Sequence, residues 1–160
     1  MAPSRLSPDP PSRSSARTFP PFRSRIDAGL LLVRIGLGIS FVFLHGAPKL
    51  LGGPETWIKL GGAMGALGIT AAPAFWGFMA AFAEGIGGLL VALGLAFRPA
   101  LVLLVVTMLV AALAHVVQFG DGLVGASQAL ELAVVFAGLL LTGPGRYALD
   151  ARLGLEAPAR

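Results

Sequence analysis

Six polar side chains interrupt stretches of sequence that are otherwise apolar, and their types could do acid–base or ligand-binding chemistry. They are two carboxylates, an amine, two imidazoles and an amide: Glu84, Glu131, Lys49, His45, His115 and Gln118. Carboxylates, amines and imidazoles transfer protons and hydrogen-bond polar ligands. An ionisable group surrounded by hydrocarbon costs about 2.5–3.5 kcal/mol to insert, so by default it marks a functional site. The set predicts a site for a quinone head group, a proton relay or a small polar ligand.

The same residues admit a purely structural interpretation. The charges would then neutralise one another and hold the helices in register, and paired apolar replacements would be tolerated. The two interpretations stay open at this point. In either case Glu84 needs a partner inside the protein, and the candidates are His45, His115 and Lys49.

Metal and haem sites are the next alternatives. Two histidines on separate helices could hold a haem, and Glu84 and Glu131 with His115 could hold a metal ion. The Glu-x-x-His spacing of di-iron sites is absent from the sequence. The chain also has no cysteine, which excludes disulfides, iron–sulfur clusters and Cys-ligated zinc. We therefore expect no metal and no cofactor held by the chain itself.

The segments that carry these residues are long and apolar enough to cross a membrane. Of the 160 residues, 56% are hydrophobic and 12% are charged, whereas a soluble domain carries about 25% charge. The stretch from Ala72 to Phe97 has Glu84 as its only charge, and about 20 such residues cross a hydrocarbon layer of roughly 30 Å. We predict an all-α integral membrane four-helix bundle, with helices over about 27–51, 72–97, 99–119 and 123–142.

Helical spacing puts the polar residues on stripes that should face other helices. In the first helix, His45 lies about three turns after Arg34, and Lys49 follows at i+4. In the second helix, Gly88 follows Glu84 at i+4, and such small residues let a neighbouring backbone approach closely. Arg34 itself is expected to reach the inner head groups or to pair with an acid of one of the tails.

Depth can be counted along four antiparallel helices. It puts Glu84 near the middle of the membrane and Lys49 near the outer surface. The remaining ionisable groups fall in the outer half: His45, His115 and Glu131. We expect these groups, contributed by four helices, to converge on one outward-facing cavity.

The ends of the chain indicate topology. Residues 1–26 are rich in Pro, Ser and Arg, so we expect a disordered basic tail there, and a second short tail over 151–160. With both ends in the cytoplasm, nine arginines lie inside and two lysines outside, as the positive-inside rule requires. The net charge of +4 then reflects topology, and no nucleic acid is expected as a partner. We expect a multi-pass membrane protein with both termini in the cytoplasm and a short interfacial helix over 56–67.

The chain resembles the DoxX family of small bacterial membrane proteins along nearly everything after the N-terminal tail. Four segments in the family's order carry the resemblance: RIGLGISFVFLHGAPKL (34–50), AEGIGGLLVALGLAFRPA (83–100), MLVAALAH (108–115) and GPGRYALD (143–150). The family often has Gln at the position of Pro48, so a kink is expected at the end of the first helix.

The resemblance implies a membrane subunit near redox chemistry. The family takes its name from association with a quinol oxidase and a thiosulfate:quinone oxidoreductase, and some members are linked to thiol and oxidative-stress complexes. The leading hypothesis is an accessory or quinone-interacting subunit, with the lipid bilayer, redox subunits and a second copy of the chain as candidate partners. No nucleophile or cofactor motif is present, so electrons would come from a partner or a bound quinone. The alternatives are a small transporter or proton-coupled carrier, and a structural membrane scaffold.

Overall fold

Four helical spans dominate the computed structural model, which describes residues 21–155. The spans are long and apolar enough to cross a membrane: Arg25–Leu51, Pro73–Leu93, Phe97–Phe119 and Gly122–Thr142. The described part of the chain contains no strand. The prediction of an all-α integral membrane four-helix bundle is therefore confirmed.

The first span is helical throughout but changes its winding before Pro48. It consists of α1 (Pro21–Ser40), a π-helical turn (Phe41–Gly46) and α2 (Ala47–Leu51). Proline has no N–H to donate to the carbonyl four residues back, and the N–H of Ala47 bonds to the carbonyl of Val42, five residues back. The irregularity expected from Pro48 thus takes the form of a wider turn.

The beginning of α1 corrects the predicted extent of the N-terminal tail. Residues 21–26, assigned to a disordered tail from composition, are helical, while residues 1–20 lie outside the described part of the chain. Asp27 is therefore inside the helix. Its carboxylate accepts a hydrogen bond from the backbone N–H of Arg146 at 3.1 Å, which ties α1 to the segment after the fourth span.

The connection after α2 continues along the next span. It forms α3 (Gly53–Gly61) and a 3₁₀ helix (Gly62–Leu67), where we expected one interfacial helix over 56–67. A methyl group on Gly61 would overlap the carbonyl of Pro73, and one on Gly77 would overlap the carbonyl of Trp57. These glycines let α3 lie in backbone contact with the first half of α4 (Pro73–Leu93).

The remaining spans pack in chain order. The third span comprises α5 (Phe97–Ala114) and a π-helical turn (His115–Phe119), and the fourth is α6 (Gly122–Thr142). The first span packs on α4, α4 on α5 and α5 on α6. Phe41 and Phe136 meet edge to face at 4.9 Å between ring centroids and join the first span to α6.

The GPGRYALD segment folds back onto the turn between α4 and α5. The buried carboxylate of Asp150 accepts hydrogen bonds from the N–H groups of Ala96 (3.0 Å) and Phe97 (2.9 Å), so it caps the start of α5. Its own N–H donates to the carbonyl of Gly94 at 2.9 Å. Asp150 belongs to a short helix, α7 (Leu149–Leu153), which extends into the predicted C-terminal tail.

Arg34 lies beside this cap. It is 1% exposed, donates a hydrogen bond to the carbonyl of Pro144 and lies 5.9 Å from the centre of the Phe97 ring. Asp150 supplies a negative charge that acts on it. The expectation that Arg34 reaches lipid head groups is wrong, because the folded-back segment covers it and provides its partners. We name this part of the bundle the Arg34 end.

The cap gives a stability prediction. Asp150→Ala leaves two helix N–H groups without their acceptor and removes a negative charge that acts on the buried Arg34, and each unsatisfied buried donor costs about 1–3 kcal/mol. The variant should unfold at a lower temperature in detergent by circular dichroism. Arg152→Ala, an exposed change on the same short helix, is the control and should unfold like the parent. Equal unfolding temperatures for the two variants would contradict the assigned cap.

Candidate functional site

A cavity of about 680 Å³ lies between the α3–3₁₀ segment, α4, α5 and the second π-helical turn. We name it the Glu84 cavity. Its wall is mostly apolar, and its polar lining consists of five side chains: Lys49, Lys59, Glu84, Thr107 and His115. Phe75, Leu103 and Val106 line it and are also exposed on the surface of the bundle, so the cavity has an apolar rim. Its size suits an organic ligand, since such pockets range from about 300 to 1,000 Å³.

Glu84 and Lys49 form an ion pair in the cavity wall. Glu84 is 3% exposed, so its carboxylate depends on this partner. Close backbone packing brings the two residues of this pair together. A methyl group on Gly46 would overlap the Gly85 backbone, so the first span and α4 touch at that level. Lys49 follows Gly46 by one turn and reaches the carboxylate beside Gly85. The indole N–H of Trp57 donates to the Lys49 carbonyl at 2.9 Å and anchors the end of α2.

His115 and Asp121 form a second side-chain pair. The Nδ1 atom of His115 lies 2.9 Å from an Oδ atom of Asp121. Asp121 occupies the N-cap position of α6 but makes no capping hydrogen bond with its side chain, which bonds the imidazole instead. A carboxylate on Nδ1 selects the tautomer and leaves Nε2 to accept a proton or a hydrogen bond. The ring lines the Glu84 cavity, so the pair can exchange a proton with a bound ligand.

Asp121 was not among the site residues predicted from the sequence. Its position in a Gly-Asp-Gly turn suggested only a helix break. The sequence contains one indication of the pair, which is that Asp121 follows His115 by six residues. Over that separation, the end of one helix can meet the start of the next. Whether an acid at that position caps its own helix or binds the preceding histidine depends on the path of the intervening turn.

Gln118 supports the cavity from outside its lining. Its side-chain amide donates to the carbonyl of Gly62 at 3.2 Å and so connects the second π-helical turn to the 3₁₀ helix. A methyl group on Gly65 would overlap the Gln118 amide, so the end of that side chain would have to move. Gln118 is therefore a residue that holds two walls together.

His45 and Glu131 do not line the Glu84 cavity, which corrects the expectation that ionisable groups from four helices converge there. His45 stacks on Phe41 at 5.0 Å between ring centroids. Glu131 is exposed on α6, because α6 turns its Ala133 and Phe136 side into the bundle. Within residues 21–155, no three His, Asp or Glu side chains are grouped so as to hold a metal ion. Of the two histidines, His115 lines the cavity and His45 does not. This placement gives no support to a haem held between the two imidazoles.

Comparison with protein families matches residues 29–117, more than half of the chain, to DoxX. The chain belongs to the DoxX family. The match includes three of the four segments on which the resemblance was based, and it ends before GPGRYALD. It also includes Lys49, Glu84 and His115 of the cavity but not Asp121. Comparison with curated proteins and with solved structures found no match.

Variants of the Glu84–Lys49 ion pair test whether it stabilises the fold of this DoxX-family chain. Glu84→Ala leaves the amine of Lys49 without its counter-charge and should lower stability by about 3–5 kcal/mol. The double variant Lys49→Met with Glu84→Leu replaces the pair by apolar groups and should recover most of that loss. Thermal unfolding in detergent measures both, with the exposed Glu55→Ala as the control. Unfolding of Glu84→Ala at the parent temperature would show that the pair is not needed for stability.

Proposed function

We propose that this DoxX-family protein binds a quinone-like amphiphile in the Glu84 cavity, as an accessory or quinone-interacting subunit of a membrane redox system. One observation carries the proposal: a cavity of about 680 Å³ with an apolar wall holds a small set of hydrogen-bonding groups and has an exposed apolar rim. A quinone has the matching form, a ring with two carbonyl acceptors and an apolar chain.

The polar lining suits the head group. Lys59 and Lys49 are donors on one side of the cavity, and His115 can donate or accept on another. The charge of Lys49 is balanced by Glu84, whereas the exposed Lys59 has no ion pair among residues 21–155. A ring carbonyl would therefore meet an amine without breaking the buried pair. The isoprenoid chain would leave past Phe75, Leu103 and Val106 into lipid.

His115 gives the site a route for protons. Quinol carries two hydroxyl protons that quinone lacks, so a quinol ligand needs a nearby base when it is oxidised. His115, oriented by Asp121 at 2.9 Å, is the cavity-lining base we assign to that task. The two electrons released with those protons would pass to a redox partner subunit.

Topology belongs to the same proposal. Nine arginines at the ends and in the turn after α4 support a cytoplasmic position for both termini in the bacterial inner membrane. A reporter that works only in the cytoplasm should be active when fused to the C-terminus. A reporter that works only in the periplasm should be active when it is fused in the exposed connection after Gly68. Periplasmic activity at the C-terminus would contradict this orientation and move the Glu84 cavity to the cytoplasmic half.

Ligand binding can be measured directly with decylubiquinone, a short-chain quinone. Added to the full chain in lipid nanodiscs, it should quench tryptophan fluorescence, because Trp76 lines the cavity. Ala111→Phe fills part of the cavity and should raise the Kd by at least about tenfold. Leu141→Phe adds a ring on the exposed side of α6 and should leave the Kd unchanged.

The control separates specific binding from partition of quinone into lipid. Equal quenching of the parent, Ala111→Phe and Leu141→Phe proteins would mean that the quinone acts from the bilayer. The remaining candidates would then be a carrier for a small polar solute and a membrane scaffold.

A further inference from the structure

The outward face of α6 carries a regular seam with no neighbour in residues 21–155. Its exposed positions alternate in spacing between four and three residues: Val124, Gln128, Glu131, Val135, Gly138 and Thr142. This alternation is the spacing by which one helix packs along another. The opposite side of α6, with Ala126, Ala133 and Phe136, is buried in the bundle.

Glu131 makes this face unsuited to contact with lipid alone. The residue lies near the middle of a membrane span, is exposed, and forms no hydrogen bond or ion pair with any residue between 21 and 155. A carboxylate in hydrocarbon is costly and needs hydrogen-bond donors. Residues 21–155 supply no such donor, so a donor for Glu131 would have to come from outside them.

We propose that the α6 seam is a self-association surface, on which the α6 helix of a second copy of this chain packs around a two-fold axis. The seam is self-complementary, because the carboxylate acceptor of Glu131 and the amide donor of Gln128 lie one turn apart on one face. In a parallel pair, each Gln128 amide lies within one helical turn of Glu131 of the second copy. Polar side chains of this kind join helices within membranes.

Gly138 favours the same arrangement. A methyl group built on it meets no atom within 4 Å, so the space beside it is open, and the residue is exposed. Gly138 lies seven residues, about two helical turns, after Glu131. A small residue there lets a second backbone come close enough for side-chain hydrogen bonds. The Glu84 cavity lies among α3, α4 and α5, so this surface is independent of the proposed quinone site.

Cysteine cross-linking tests the pair cleanly, since the chain has no cysteine of its own. Val135→Cys puts a thiol on the seam. Leu130→Cys puts one on the same helix, at similar depth and also exposed, but off the seam. After oxidation in native membranes, Val135→Cys should give a band at twice the mass of the chain, and Leu130→Cys should give at least about tenfold less.

A second change links the band to Glu131. Adding Glu131→Leu to Val135→Cys should reduce the cross-linked dimer several-fold, while Glu131→Gln, which keeps hydrogen-bonding capacity, should retain most of it. Thermal unfolding checks that each variant is folded. Equal cross-linking at the two cysteine positions, no effect of Glu131→Leu, or a product whose mass contains a different chain would each overturn the proposal.

Discussion

The arrangement of this bundle depends on the backbone contact between Gly46 and Gly85. A side chain at Gly46 would overlap the Gly85 backbone and separate the first span from α4. At the present separation Lys49 reaches Glu84, which lies beside Gly85, and the buried carboxylate acquires its counter-charge. A charge in a membrane protein is tolerated where a partner is held at contact, so the glycines make the glutamate compatible with the bundle.

The cavity follows from the same geometry further along the chain. After Gly52 the backbone continues against α4 through Gly61 and Gly77, and this leaves a space between the 3₁₀ helix and α5. The bond from Gln118 to the 3₁₀ helix holds the two sides of that space together. Each histidine belongs to a π-helical turn, a local winding that is frequent at functional sites. Only His115, however, faces the cavity, where Asp121 orients it.

The two ends of the bundle differ in how their polar groups are satisfied. At the Arg34 end, the Asp150 carboxylate accepts hydrogen bonds from two helix N–H groups, and the carbonyl of Pro144 accepts one from the Arg34 guanidinium. The side chains of Asp150 and Arg34 are buried. This buried network leaves the Nε atom of Arg34 without a hydrogen-bond partner among the described residues, and it fixes the turn between α4 and α5. Around the Glu84 cavity, Lys49, Lys59 and His115 remain accessible to a ligand. The groups that a ligand could reach therefore line the cavity, whereas the polar groups of the Arg34 end are buried and support the fold.

Hydropathy was sufficient to predict four membrane helices, because the length and apolarity of a span are local properties, and the resemblance of short segments predicted the family. Hydropathy and spacing also identified most of the cavity's ionisable lining, including Lys49 and His115. The partner of Glu84, the exclusion of His45 and Glu131, and the roles of Asp121 and Asp150 followed only from the packed structure. A helical period tells which residues share a face, whereas the rotation of each helix against its neighbours decides what that face meets. Those rotations are set by contacts between distant segments, such as Gly46 with Gly85 and Asp150 with the start of α5.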